Sequence, residues 1–205
     1  STTNFRDTCK CSVSSPALDS SRVTFQDIVK LFNAKFTYLW LVDNVLDNST
    51  FTLEEKLWFK QQVLLQLPES TGLSEIGSTN KKLNQALVRS CTAGRIFLDY
   101  FKECMGNDPH NIKILKENII DWLESSYEKE RLISRGGYIT QTDYERLRFY
   151  DGAMGLCLSF APMIVAGSQF LIRMKGNTEK LAKSFKTVSI LNDLYAKKIA
   201  LEELN

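Results

Sequence analysis

Thr24–Asp47 reads TFQDIVKLFNAKFTYLWLVDNVLD, and its periodicity decides the fold class. Ile28, Leu31, Phe32, Phe36, Leu39 and Trp40 recur at the spacing of one helical face. Thr24 followed by Asp27 is a capping box: the hydroxyl satisfies an orphan backbone N–H and the carboxylate returns the contact. The same signal stands at Thr52 with Glu55 and at Thr142 with Glu145. The spacing predicts helices over 25–47, 53–67, 80–105, 110–130, 143–174 and 178–204. The turn Gly106-Asn107-Asp108-Pro109 separates the third from the fourth. Gly136-Gly137 and Gly176-Asn177 mark later breaks. No strand-like alternation persists and no repeat is present. The expectation is therefore an all-α bundle: a Ser/Thr-rich irregular segment over 1–23, then one domain over 24–205. Bundles of this kind hold ligands on side chains projecting from facing helices.

Composition removes several function classes. The 205 residues carry a net charge of +2, without the concentrated basic surface of a nucleic-acid binder. The longest apolar run, Leu156–Gly167, is too short to span a bilayer and contains Pro162. No charged-then-apolar leader opens the chain. Five cysteines, an odd number, read as free thiols in a reducing, cytoplasmic compartment. The single histidine, His110, rules out a zinc or iron site built on several imidazoles. No P-loop or GxGxxG is present. An enzyme built from this chain works with carboxylates, amides and arginines, and with a hard metal.

Three constellations could carry such chemistry. Asp43 and Asp47, four residues apart, share a helix face with Phe36 and Trp40. Acids on an apolar, inward face are costly unless neutralised, and two carboxylates at that spacing can share magnesium with a substrate phosphate. The bland alternative is a pair of solvated acids at a fraying helix end. Arg148 precedes Asp151 by one turn, with Gly152 and Gly155 beyond. A guanidinium grips phosphate with a planar fork, and the glycines weaken the helix; a surface ion pair and close helix packing would account for the same residues. Asn192 lies on the apolar stripe Leu181, Phe185, Val188, Tyr195, Ile199, where an amide needs a hydrogen-bond partner or a ligand.

Together these resemble class I terpene synthases of the microbial type. Asp43-Asn44-Val45-Leu46-Asp47 is similar to the family's aspartate-rich motif, with Asn44 in the second place. Tyr144, Arg148, Asp151 and Gly152 are similar to its diphosphate-sensing segment: sensor, linker acid and helix-break effector. Asn192-Asp193 opens a second metal motif, but Ala196 and Ala200 stand where the family has its serine and glutamate. The domain also looks short of the family's C-terminal helices.

The resemblance implies a helical bundle with a central apolar cavity. It implies magnesium held by Asp43, Asp47 and Asn192, and ionisation of an isoprenoid diphosphate, farnesyl by preference, to a sesquiterpene. Arg148, oriented by Asp151, would stabilise the leaving diphosphate, and a carbonyl near Gly152 would face the allylic cation. Phe36, Trp40, Asn44, Phe149 and Lys198 are the substrate-contact candidates, Lys198 for positive charge toward the diphosphate. Tyr150 and Phe160 are weaker choices, since aromatics at helical spacing serve core packing too. A homodimer is the assembly left open. Two rival readings are a chain-elongating prenyltransferase and a non-catalytic helical module binding an apolar ligand or a partner.

Overall fold

The structure is a computed structural model, and it describes residues 23–67, 79–136, 140–166 and 168–172. Every regular element among them is helical: α1 (Phe25–Leu46), α2 (Leu53–Leu65), α3 (Lys81–Met105), α4 (Pro109–Ser134), α5 (Gln141–Asp151), α6 (Met154–Ser159) and α7 (Ala161–Ala166). None is long and apolar enough to cross a membrane. The expected helix at 178–204, with Asn192, Ala196, Lys198 and Ala200, lies outside the described residues.

Local chemistry sets most boundaries. Both halves of the capping boxes at Thr24–Asp27 and Thr52–Glu55 form. Asn80 caps α3 and also donates to Glu55 at 2.8 Å, tying the starts of α2 and α3 together. Gly106, at φ 69°, ends α3, and Asp108 with Pro109 opens α4. The box expected at Thr142 and Glu145 is corrected: Thr140 is the cap and accepts from the Asp143 N–H at 3.1 Å. The same Thr-x-x-acid pattern occurs two residues earlier, so the helix starts there instead.

The largest correction concerns 143–174, expected as one helix and observed as three. Helix α5 stops at Asp151; Gly152 is its cap, and Ala153 follows in the left-handed region at φ 54°, ψ 18°. A second interruption at Phe160 precedes α7, where Pro162 sits in the first turn and costs no helical hydrogen bond. A non-glycine residue in the left-handed region is strained. Ala153→Val is expected to cost about 1–2 kcal/mol in urea denaturation, because a branched side chain fits that conformation worst.

Helices pack through stripes of heptad-like spacing. On α1 the buried positions include Leu31, Lys35, Tyr38, Val42 and Val45; on α4 they include Leu115, Ile119, Trp122 and Ser126. Tyr38 stacks on Phe97 of α3 and meets Trp122 of α4 edge-on, so α1 lies between the two. Helix α2 is pinned to α4 by Lys56–Glu130 at 2.6 Å and Lys60–Glu124 at 2.7 Å. The higher-numbered lysine meets the lower-numbered acid, so these two helices run antiparallel. That docking turns Trp122, seven residues before Lys129, toward α1 and the α5–α6 break.

Candidate active-site cleft

A cleft of about 220 Å³ opens between α1, α4 and the α5–α6 break. Its α1 wall carries Phe36, Trp40, Asp43 and Asp47; Arg148, Asp151 and Gly152 stand on the α5 side. Residues more than 100 positions apart in sequence thus share one space. The apolar face of Phe36 and Trp40 was expected to point inward. Instead Phe36 is 51% and Trp40 65% exposed, because the neighbouring stripe, led by Leu31 and Tyr38, is the one that enters the core. These two rings form an open wall rather than packed core.

Two other substrate-contact candidates do not line the cleft. Asn44 is exposed and off the cleft wall. Phe149 is buried, edge-on to Tyr150, with its ring against Gly155, where a Cβ would stand 3.3 Å away. Gly155 therefore serves packing. Gly152 differs: a Cβ there would lie 3.2 Å from the Arg148 carbonyl oxygen and 3.8 Å from its guanidinium. Asn192 and Lys198 lie outside the described residues.

One ion network crosses the cleft. Asp151, its side chain only 2% exposed, accepts from the Arg148 guanidinium at 3.1 Å. Its other oxygen is 3.0 Å from the Lys129 ammonium, which also donates to Asp47 at 2.8 Å. The Trp122 indole N–H donates to the Asp151 main-chain carbonyl at 3.2 Å, fixing the last residue before the break. The Arg148 and Tyr150 carbonyls accept from Gly152 and Ala153 N–H groups, so these oxygens are already engaged. Lys129 was missed by sequence reasoning. The signal was there: it continues the buried stripe Leu115, Ile119, Trp122, Ser126 by one more step of three.

Charge does not balance in this space. Among the described residues, Asp43, Asp47 and Asp151 face only Lys129 and Arg148 on the lining. Burial opposes the Lys129 ammonium, but Asp151 and Asp47 more than offset it and raise its pKa above the ordinary lysine range. Asp43 forms no ion pair among the described residues. Burial first, and the negative charge of Asp47 and Asp151 next, push its pKa up to about 6, against the attraction of Lys129 and Arg148.

A carboxylate whose folded pKa is raised binds its proton more tightly when folded, so its ionisation opposes folding. Stability is therefore expected to fall as pH rises from about 4 to about 6, the interval between the ordinary and raised values. Asp43→Asn is expected to flatten that stretch, so the variant gains on the wild type above pH 6 and converges with it below pH 4. Urea midpoints across pH 3.5–7.5 check this; parallel curves would place the titration elsewhere.

The residues can be tested against magnesium. Among the described residues no three His, Cys, Asp or Glu side chains gather around one point, which argues against an all-protein cage. Magnesium more often takes one or two carboxylates, with water and substrate phosphate completing its shell. Asp43, lacking an ion-pair partner, and Asp47 on the same face fit that donor set. No family model, curated protein or solved structure matches the chain.

Proposed function

We propose that the cleft ionises an isoprenoid diphosphate, preferably farnesyl diphosphate, and folds the carbocation to a sesquiterpene, as a class I terpene cyclase. One observation carries the reading. Arg148, held by buried Asp151 at a helix break, shares a cleft with Asp43 and Asp47 and with the exposed rings of Phe36 and Trp40.

Asp43 and Asp47 would hold magnesium, which supplies Lewis-acid neutralisation of the leaving diphosphate when bound. Arg148, its fork oriented by Asp151, offers preorganised positive charge where negative charge develops on the departing oxygens. Lys129 adds a second fixed cation on the α4 side. Phe36 and Trp40 present ring faces that stabilise positive charge and exclude water from it. A cytoplasmic setting and a homodimer accompany this reading; free Cys91, Cys104 and Cys157 suit a reducing compartment.

One observation favours a second reading, a non-catalytic module for an apolar ligand or partner: Lys129 already neutralises Asp47 and Asp151. Incubation with farnesyl diphosphate separates the two, with products read by gas chromatography–mass spectrometry. Cyclase activity predicts hydrocarbon that requires magnesium, vanishes with chelator and is lost in Asp43→Ala. No product, together with no thermal shift from magnesium plus inorganic diphosphate, would leave the module, because specific binding to the folded state must raise its stability.

A further inference from the structure

We propose that Lys129 is a tethered counter-ion that competes with a divalent cation for Asp47 and moves onto Asp151 when the cation binds. The proposal rests on the magnesium reading of Asp43 and Asp47, and it adds the residue that controls entry to that site.

Lys129 reaches two acids on two different helices. Its ammonium donates to Asp47, the C-cap of α1, at 2.8 Å and lies 3.0 Å from Asp151 Oδ1 at the end of α5. The buried lysines lack this choice. Among the described residues Lys56 pairs with Glu130 and Lys60 with Glu124. Lys35 sits against the rings of Phe32, Phe36 and Phe160, and its Nζ makes no hydrogen bond with any described group.

The two acids differ in what the loss of a cation costs them. The Asp47 side chain is 48% exposed and that of Asp151 only 2%. Water can resolvate Asp47, whereas Asp151 would face the loss in a buried setting. The Asp47 contact is therefore the one that breaks. Asp151 also holds an acceptor in reserve: Oδ1 is buried and accepts no hydrogen bond among the described residues, in spite of the 3.0 Å approach. Released from Asp47, the ammonium can turn an N–H onto that oxygen. Lysine suits such an exchange, since its compact charge rides on a flexible stem with three rotatable donors.

The Asp47 end of the cleft favours positive charge beyond what Lys129 supplies. Asp43 lies one turn before Asp47 and forms no ion pair among the described residues. Both acids stand at the C-terminus of α1, where the carbonyl end of a helix is partly negative and no basic side chain of the last turn offsets it. Among the described residues of the lining, three carboxylates face two cations. A divalent cation between Asp43 and Asp47 brings twice the charge that Lys129 offers Asp47. Substrate phosphate, which completes the shell of such an ion, tips the exchange further. The ion pair at Asp47 is thus a resting contact, and Asp151 keeps the displaced ammonium in the cleft.

Manganese(II) is the probe, titrated into the full chain at neutral pH without substrate and read by the electron paramagnetic resonance of the free ion. Lys129→Met is expected to bind it about tenfold more tightly than the wild type, a coupling of ordinary size between two ligands that exclude each other. Lys129→Gln keeps a donor for Asp151 and reports the same gain if methionine impairs folding. Arg148→Ala removes an equal charge from the same lining without touching Asp47, so its gain should be smaller. An equal gain there would mean that a diffuse field governs the constant, which overturns the proposal. Adding Asp43→Ala to Lys129→Met should abolish the tight binding; tight binding that survives puts the ion elsewhere and also overturns it. An unchanged or weaker constant in both Lys129 variants overturns the exchange and leaves the magnesium reading standing. Binding by none of the chains overturns both.

Discussion

Asp151→Ala is expected to destabilise the protein by about 3 kcal/mol, the low end of the cost of breaking a buried ion pair by removing one partner. The carboxylate is almost wholly buried and is shared by Arg148 at 3.1 Å and Lys129 at 3.0 Å. Its removal leaves two cations facing each other across the space it filled. The cost stays near the low end for two reasons. Lys129 keeps Asp47 at 2.8 Å, and the Lys129 and Arg148 side chains retain 21% and 26% exposure through which water can reach them. The Trp122 indole bond to the Asp151 carbonyl is a main-chain contact and survives the substitution. Urea denaturation at neutral pH measures the loss. A change below about 1 kcal/mol would mean that the network is solvated like an ordinary surface pair. Asp151→Asn keeps the volume and one acceptor oxygen, so it should cost less stability while still releasing the guanidinium from its fixed orientation.

On the proposed cyclase reading, Arg148→Ala is expected to lower turnover on farnesyl diphosphate by about 100- to 1000-fold, the usual loss when one preorganised group opposite developing charge is removed. The effect should fall on turnover more than on substrate concentration dependence, because the charge it meets grows during bond breaking. Stability should change little, by up to about 1 kcal/mol, since the side chain is a quarter exposed and its loss frees Asp151 for Lys129. Arg148→Lys restores charge but not the planar fork, so only partial recovery is expected. Product formation under saturating magnesium checks the series. If Arg148→Ala keeps more than about a tenth of wild-type turnover, the guanidinium does not stabilise the leaving group and the ionisation reading loses its main support.

Both predictions depend on how α4 meets the α5 break, and sequence reasoning saw only half of that meeting. Arg148, Asp151 and Gly152 are local: a one-turn ion pair beside a weak helix former is visible in five residues of text. Lys129 is not local. Lysines are abundant, and nothing beside Lys129 distinguishes it until the stripe Leu115, Ile119, Trp122, Ser126 is extended onto it. Lys35 follows the same rule on α1, one step after Leu31 and one before Tyr38. A lysine that keeps step with a buried stripe must find a counter-charge, a carbonyl or an aromatic cage, so stripe continuation was the missed signal.

By itself the sequence determined the all-helical class, the caps at Thr24 and Thr52 and the turn at Gly106–Pro109, because these rest on contacts within one or two turns of chain. It also determined which residues share a helix face. Only the tertiary structure decided which face is core. Phe36 and Trp40 are as apolar as Leu31 and Tyr38, yet α3 and α4 cover the latter stripe and leave the former lining the cleft. Only the tertiary structure, too, joined Asp47, Lys129 and Asp151 into one network and left Asp43 beside it without an ion pair among the described residues. Periodicity fixes the angle of a side chain about its own helix axis. Whether water, another helix or an ion of opposite charge meets it there depends on packing across long stretches of chain, which no local pattern records.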